Sequence, residues 1–246
     1  MTFGKMFRVI LTGIHPILWT DIRKNWREGF AAFFSQKTLF KTRPFVGFIH
    51  ALVAWGFILY LAVNIIDIFY GFIPNFKFFP DSLLGNVYRL FVDIFSVLIL
   101  IGIFFFLSRR FLIKDKRLIT NDPVLLSEKA RSGMRFDSFL VAAFIILHIG
   151  SRFLSASFEI ALYGPDYSQP AANLIAILWS NMPTDTLHVM EHITWWLALG
   201  LILAFLPYFP FSKHAHLFMG PLNIMTSINR RSMASIETID FEDEGL

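Results

Sequence analysis

The sequence predicts an all-α integral membrane protein: a four-span helical bundle with both termini cytoplasmic and an N-terminal interfacial helix. Three observations carry this. Of the 246 residues, 55% are hydrophobic and 16% charged, whereas soluble domains run nearer a quarter charged. Four apolar stretches are each long enough to cross about 30 Å of hydrocarbon at about 1.5 Å per helical residue. Finally, Lys and Arg are concentrated in alternate connections, as the positive-inside rule leads one to expect.

The spans are expected near Phe45–Tyr70, Val87–Ile113, Phe136–Ala161 and Thr186–Phe211. The run Ala171–Ser180 is too short to cross and is expected to lie along a surface as a short helix. Residues 1–20 interleave apolar groups with Lys5 and Arg8, which suits an interfacial helix. Their apolar stretch is broken at His15-Pro16 and followed by charged Asp21, Arg23 and Lys24, so it does not have the usual form of a signal peptide. The chain then divides into a cytoplasmic or interfacial segment (1–44), a transmembrane bundle (45–220) and a cytoplasmic acidic tail or linker (221–246).

Orientation follows from the basic residues. Residues 1–44 hold eight Lys and Arg, the 109–135 connection eight more and the segment from 212 onward three. The 71–86 connection holds only Lys77 and the 162–185 connection none. Both termini and the 109–135 connection are therefore expected in the cytoplasm, with the chain as a multi-pass protein of the inner (cytoplasmic) membrane. The net charge of +4 is thus a topology signal, not a nucleic-acid footprint. Arg109-Arg110 is expected to anchor the inner edge, and Arg89 and Asp93, at i and i+4, to form a salt bridge within one helix. The tail "IETIDFEDEGL" has five acidic residues and no basic one, and reads as a solvated arm.

With no cysteine, the chain has no disulfide, thiolate metal site or iron–sulfur cluster of its own. The seven histidines are fewer than the boxes of a membrane di-iron oxidase require. Their depth is more informative than their number. Measured from Arg43, Arg135 and Lys213, His50 lies about 10 Å deep on the first span and His148 about 20 Å deep on the third. His188 and His192 lie about 30 Å away, near the outer face, and His214 and His216 stand at the inner margin. The fourth helix is expected to continue through those two until Pro221 stops it.

Ionisable residues inside a membrane are functional hypotheses by default. One His from each of two helices can ligate a haem iron from both sides, and Gly47 and Ala51 beside His50 leave room for a flat macrocycle. A core histidine hydrogen-bonded to a carbonyl explains the same spacing.

The segment "FPFSKHAHLFMGP", residues 209–221, and the phrase "RPFVGFIHALVAWGF", residues 43–57, shift that balance. They resemble the gamma subunit of respiratory nitrate reductase, and still more the membrane domain of the heterodisulfide-reductase-related iron–sulfur oxidoreductases. The resemblance covers residues 40–225. It implies a haem b at the cytoplasmic side with His50 and His216 as axial ligands to the haem iron, and His214 as the competing ligand. It also implies a cytoplasmic iron–sulfur partner, with a flavoprotein as the alternative, and a membrane quinone as substrate. The second haem of the nitrate reductase subunit has no counterpart as such, because its two ligand positions are Tyr60 and Ala198 here. His148 lies near that depth and is the residue through which a second haem would be held.

At the outer end, "DTLHVMEHITWW" places His188 and His192 at i and i+4, with Glu191 adjacent and Trp195 one turn on. Donors, acids and an aromatic wall suit a quinone headgroup, so these three residues are the expected quinone site. Solvated residues at a membrane edge, or a metal bound by the two histidines, are the alternatives. The function expected is electron transfer in a respiratory chain, between quinone and a soluble redox partner; the alternative is a cofactor-free membrane anchor of a larger complex.

Overall fold

The computed structural model describes residues 3–12, 19–74, 76, 78–79, 82–118 and 127–226. His15 and most of the acidic tail lie outside them. The described residues form helices α1 (Phe3–Leu11), α2 (Trp19–Ser35), α3 (Lys37–Thr42), α4 (Pro44–Phe72), α5 (Leu83–Leu107), α6 (Glu128–Tyr163), α7 (Pro170–Ala176), α8 (Thr184–Tyr208) and α9 (His216–Met225), with no strand among them. They fall into two compact units, Gln36–Ala215 and Met1–Ser35 with His216–Leu246. Residues 216–220, expected with the bundle, group instead with the N-terminal segment.

Four helices in the larger unit are long and apolar enough to cross a membrane: Pro44–Phe72, Leu83–Leu112, Ser132–Tyr163 and Thr184–Phe211. These are the expected spans, extended by a few residues at most ends. Local chemistry sets their starts. Pro44 occupies the first turn of α4, where a missing N–H costs nothing. Ser82 caps α5 by accepting the Gly85 N–H at 3.2 Å. The second span ends in a π-turn over Ser108–Leu112. There the buried Arg109 turns back to Asp115 at 2.6 Å, so Arg109 is tied into the protein while Arg110 reaches the Met134 carbonyl.

α6 packs along α8 and α5, α5 along α4, and α4 touches α8, which closes a four-helix ring. Its core is Tyr60, Val63, Val92, Ile99, Ile103, Ala142 and Ile149. Glycine permits the closest approach. A Cβ on Gly102 would lie 2.5 Å from Val53 Cγ2, and one on Gly56 2.5 Å from Ile99 Cδ1; small residues at helix contacts are how membrane helices gain packing. Outward positions such as Leu61, Ile65, Ile94, Phe104, Leu147 and Leu197 are exposed, as a lipid-facing surface requires.

α7 lies at the bundle surface with Leu174 outward, but Ala172 and Ala176 are buried against the core. Asp93 of α5 holds it, its carboxylate accepting the Ala171 and Ala172 N–H groups at 2.7 and 3.0 Å. These are orphan donors at a helix N-terminus, where a carboxylate is the favoured cap. Asp93→Ala should therefore cost about 1–2 kcal/mol and speed amide hydrogen exchange selectively in residues 170–179; unchanged exchange there would show that Asp93 does not hold α7.

The fourth span does not run on to Pro221. α8 gives way to two 3₁₀ turns, Phe209–Phe211 and Lys213–Ala215, with Ser212 extended between them (φ −87°, ψ 163°). Pro210 lacks the N–H that would continue the ladder, and the backbone leaves helical geometry at Ser212. Pro221 instead lies inside α9.

In the smaller unit α2 packs against α9. Gly29 is the contact, its missing Cβ replaced by the Met225 side chain. Trp19, Trp26, Phe30 and Phe34 of α2 are exposed beside Arg23, Lys24 and Arg27, the composition of an interfacial helix.

Candidate functional site

His50 sits on α4, half-buried, one turn and a half from the span's start. Its Nδ1 lies 2.7 Å from Gln36 Oε1. Because a carbonyl oxygen accepts, the proton belongs on Nδ1 and the lone pair on Nε2. Gln36 reaches this position from an unusual backbone: it has left-handed dihedrals (φ 46°, ψ 30°) just before α3, which few non-glycine residues adopt. Gly47 makes the arrangement possible. A Cβ there would meet the Leu39 carbonyl oxygen at 3.0 Å, so the space expected for a macrocycle at Gly47 is filled by the backbone of α3. Phe106 of α5 packs edge-on against His50 with ring centroids 6.3 Å apart.

His214 lies on the 3₁₀ turn that follows Ser212, its backbone N–H donating to Ser212 Oγ at 3.1 Å. The half-buried ring is enclosed by Phe57 and Phe205, each at 5.6 Å, and Phe209 at 6.4 Å. Phe57 is seven residues from His50 on α4, hence on the same face about 10 Å further along. The larger unit thus carries two imidazoles associated with one face of α4. His216 is exposed and opens α9, in the smaller unit.

Deeper in the bundle, His148 is buried and its Nδ1 donates to the Ala198 carbonyl at 2.8 Å. Its Nε2 is buried and has no hydrogen-bond partner among the described residues. Tyr60 meets the ring edge-on at 5.9 Å and is itself bonded to Ser96 at 2.6 Å. The two positions that differ from the nitrate reductase pattern, Tyr60 and Ala198, are 3% and 2% exposed. They pack on His148, whose ring meets the Tyr60 phenol and the Ala198 carbonyl.

The charged residues at the outer half are organised differently from the expectation. Arg89 and Asp93 do not pair with each other. Arg89 Nε binds Asp166 at 2.9 Å, and Asp93 caps α7, because the 162–185 connection folds back between them. Burial opposes the Asp166 charge, but hydrogen bonds from Gln169 and Ser168, together with Arg89, hold its carboxyl below the usual value of 3.8. Arg152 binds Asp67 of α4 through Nε at 2.8 Å and Nη2 at 3.4 Å. Asp67 is a residue that the sequence reading passed over. An acid inside an apolar span is itself a signal, and Arg152 across the bundle is its partner.

Of the expected quinone residues, Glu191 turns toward α6, where Ser155 Oγ donates to its Oε1 at 3.4 Å. His188 and His192 are exposed, His188 beside Tyr163 at 6.2 Å between ring centroids and His192 3.7 Å from Glu191. The structure therefore separates the trio: one acid faces the bundle and two imidazoles face outward. Among the described residues no group of three or more His, Asp or Glu side chains is placed to hold a metal ion.

Four apolar spans around buried charged and imidazole groups define a multi-pass membrane protein. Its sequence is similar to a Bacillus subtilis protein named as a probable iron–sulfur-binding oxidoreductase, FadF, with 32% identity over 86% of this chain and 28% of the relative. It is also similar to the EtfAB:quinone oxidoreductase of Syntrophomonas wolfei, with 29% identity over 74% of this chain and 25% of the relative. The chain thus spans about a quarter of the length of these curated relatives, and is related to iron–sulfur oxidoreductases through that part. No protein-family model and no solved structure matches it.

Proposed function

We propose that this chain is the haem b-binding membrane portion of a quinone-linked oxidoreductase, carrying electrons between a membrane quinone and an iron–sulfur partner on the cytoplasmic side. The observation that carries the reading is the His50–Gln36 pair. A ligating histidine commonly donates its other ring N–H to a fixed acceptor, which sets the tautomer and strengthens the ligand. His50 has that arrangement, and an iron centre would take Nε2. The donor set also fits: imidazoles, aromatic neighbours and no thiolate. His50 would be one ligand to the haem iron, with His216 the partner that the sequence resemblance favours and His214 the partner that the Gln36–Ala215 unit offers. A bound haem b supplies a one-electron carrier.

What the chain's own residues do follows from their chemistry. Gln36 fixes the His50 proton on Nδ1. Phe106 packs against the His50 ring, and Phe57 and Phe205 against that of His214. The basic residues around Arg109, Lys114, Lys116 and Arg117 support a cytoplasmic placement of that end, and with it of both termini. The names of the two relatives, one iron–sulfur-binding and one acting on quinone, support the two partners.

The test is a dithionite-reduced minus oxidised spectrum with pyridine haemochrome quantitation on the purified chain. One b-type haem per chain is expected. A well-folded protein without haem would overturn the reading and leave a membrane anchor.

A further inference from the structure

The smaller unit pairs two helices, α2 and α9, neither of which suits a membrane span. The ten residues of α9 extend about 15 Å, half the hydrocarbon thickness. α2 carries Asp21, Arg23, Lys24, Arg27 and Glu28 within about two turns. Yet α9 has no Asp, Glu, Lys or Arg and leaves Phe218 exposed. A short, uncharged helix with an exposed ring is poorly placed in bulk water.

The exposed surface of α2 is sorted by chemistry. Trp19, Trp26, Phe30 and Phe34 are all exposed and fall within roughly 80° of the helix circumference, at about 100° per residue. Their rings run on from one another, Trp26 to Phe30 and Phe30 to Phe34, at 6.0 and 6.3 Å between centroids. Gly29, the contact with α9, lies roughly a quarter turn from the midline of this stripe, so packing inside the unit leaves the stripe exposed. On its other flank come Arg23, Arg27 and Lys24, also exposed. The Arg27 guanidinium lies 5.5 Å from the centroid of the Trp26 ring. Glu28 falls on nearly the opposite side of the helix from the stripe.

We infer that the aromatic stripe of α2 seats in the headgroup region of the bilayer, with Arg23, Lys24 and Arg27 binding the phosphates of anionic phospholipid. A helix in the plane of a membrane surface has this order of faces, rings below the headgroups and bases beside them. Trp is favoured at that depth. The bilayer is favoured over a soluble protein as the occupant because the four spans of the same chain hold it at a membrane. The three bases also complement an anionic surface.

The chain has no cysteine, so a single one introduced by Phe34→Cys can carry a bimane fluorophore without background. The full chain is placed in nanodiscs of mixed phosphatidylglycerol and phosphatidylcholine, with a nitroxide high on the acyl chain of one lipid or the other. Quenching of the Phe34→Cys label is expected, with phosphatidylglycerol preferred about 5-fold, the worth of one base at an anionic surface. Arg23→Gln, Lys24→Gln and Arg27→Gln together should bring the preference to unity. A label at Glu28→Cys should be quenched little by either lipid. No quenching from Phe34→Cys, or equal quenching from the two sites, would overturn the membrane seat and leave the stripe to a protein partner. Equal quenching by the two lipids, or a phosphatidylglycerol preference that survives loss of the three bases, would overturn the headgroup assignment.

Discussion

His50→Ala is expected to abolish the b-type band altogether, while the chain remains folded and in the membrane fraction. His50 is half-buried near the start of α4, so truncating it removes little packing. The bundle core around Tyr60, Val63 and Ile99 does not include it. On the proposed function it removes one haem ligand, and a bis-histidine site with one imidazole left would hold haem poorly. The parallel variants His214→Ala and His216→Ala identify the second ligand, because only one of them should reproduce the loss. Gln36→Leu is the finer probe. It keeps the ligand but frees its Nδ1–H, and loss of such a supporting bond typically weakens a metal site 10- to 100-fold. Haemochrome content of the four purified variants, alongside circular dichroism, is the measurement. A His50→Ala protein with full haem would remove His50 from the site.

Arg152→Ala carries the largest expected cost in stability. Its guanidinium meets Asp67 through two nitrogens, and the two side chains are 20% and 9% exposed. Removing one partner leaves the other charge buried without compensation, a loss of about 3–5 kcal/mol in comparable pairs. The cause is the uncompensated charge, not the strength of the pair, and this gives a second expectation. Asp67→Asn with Arg152→Gln, which removes both charges together, should recover most of the loss. Unfolding of the single and double variants in detergent closes the cycle. A single Arg152→Ala variant as stable as the wild type would show that the pair is solvated.

The spans were legible because their signal is additive over more than 20 residues: length, hydropathy and the placement of Lys and Arg all agree, and the structure follows them to within a few residues at most ends. The end of the fourth span was not. One helix was expected to run on to Pro221, but the 3₁₀ turns at Phe209–Phe211 and Lys213–Ala215 end it, and His214 falls in the larger unit and His216 in the smaller. The Arg89–Asp93 pairing failed for a related reason. Spacing along one helix favours a contact worth a fraction of a kcal/mol, and both residues found better partners in a connection some 75 residues away. Gln36 could not have been found, since nothing in a polar residue before a short helix predicts a left-handed backbone or the imidazole it reaches. Asp67 could have been weighed, as a polar group inside an apolar span.

By itself the sequence determined the membrane class, the number of spans, the absence of any thiolate chemistry and the set of histidines from which a cofactor site can be drawn. Those properties depend on composition and on distances along one chain, which a helix converts directly into depth. Only the tertiary structure decided which charge meets which, and that Gly47 accommodates α3 instead of a macrocycle. Each of these depends on the approach of separate helices, where the cost of burying a charge or a hydroxyl is set by a neighbour that sequence distance does not reveal.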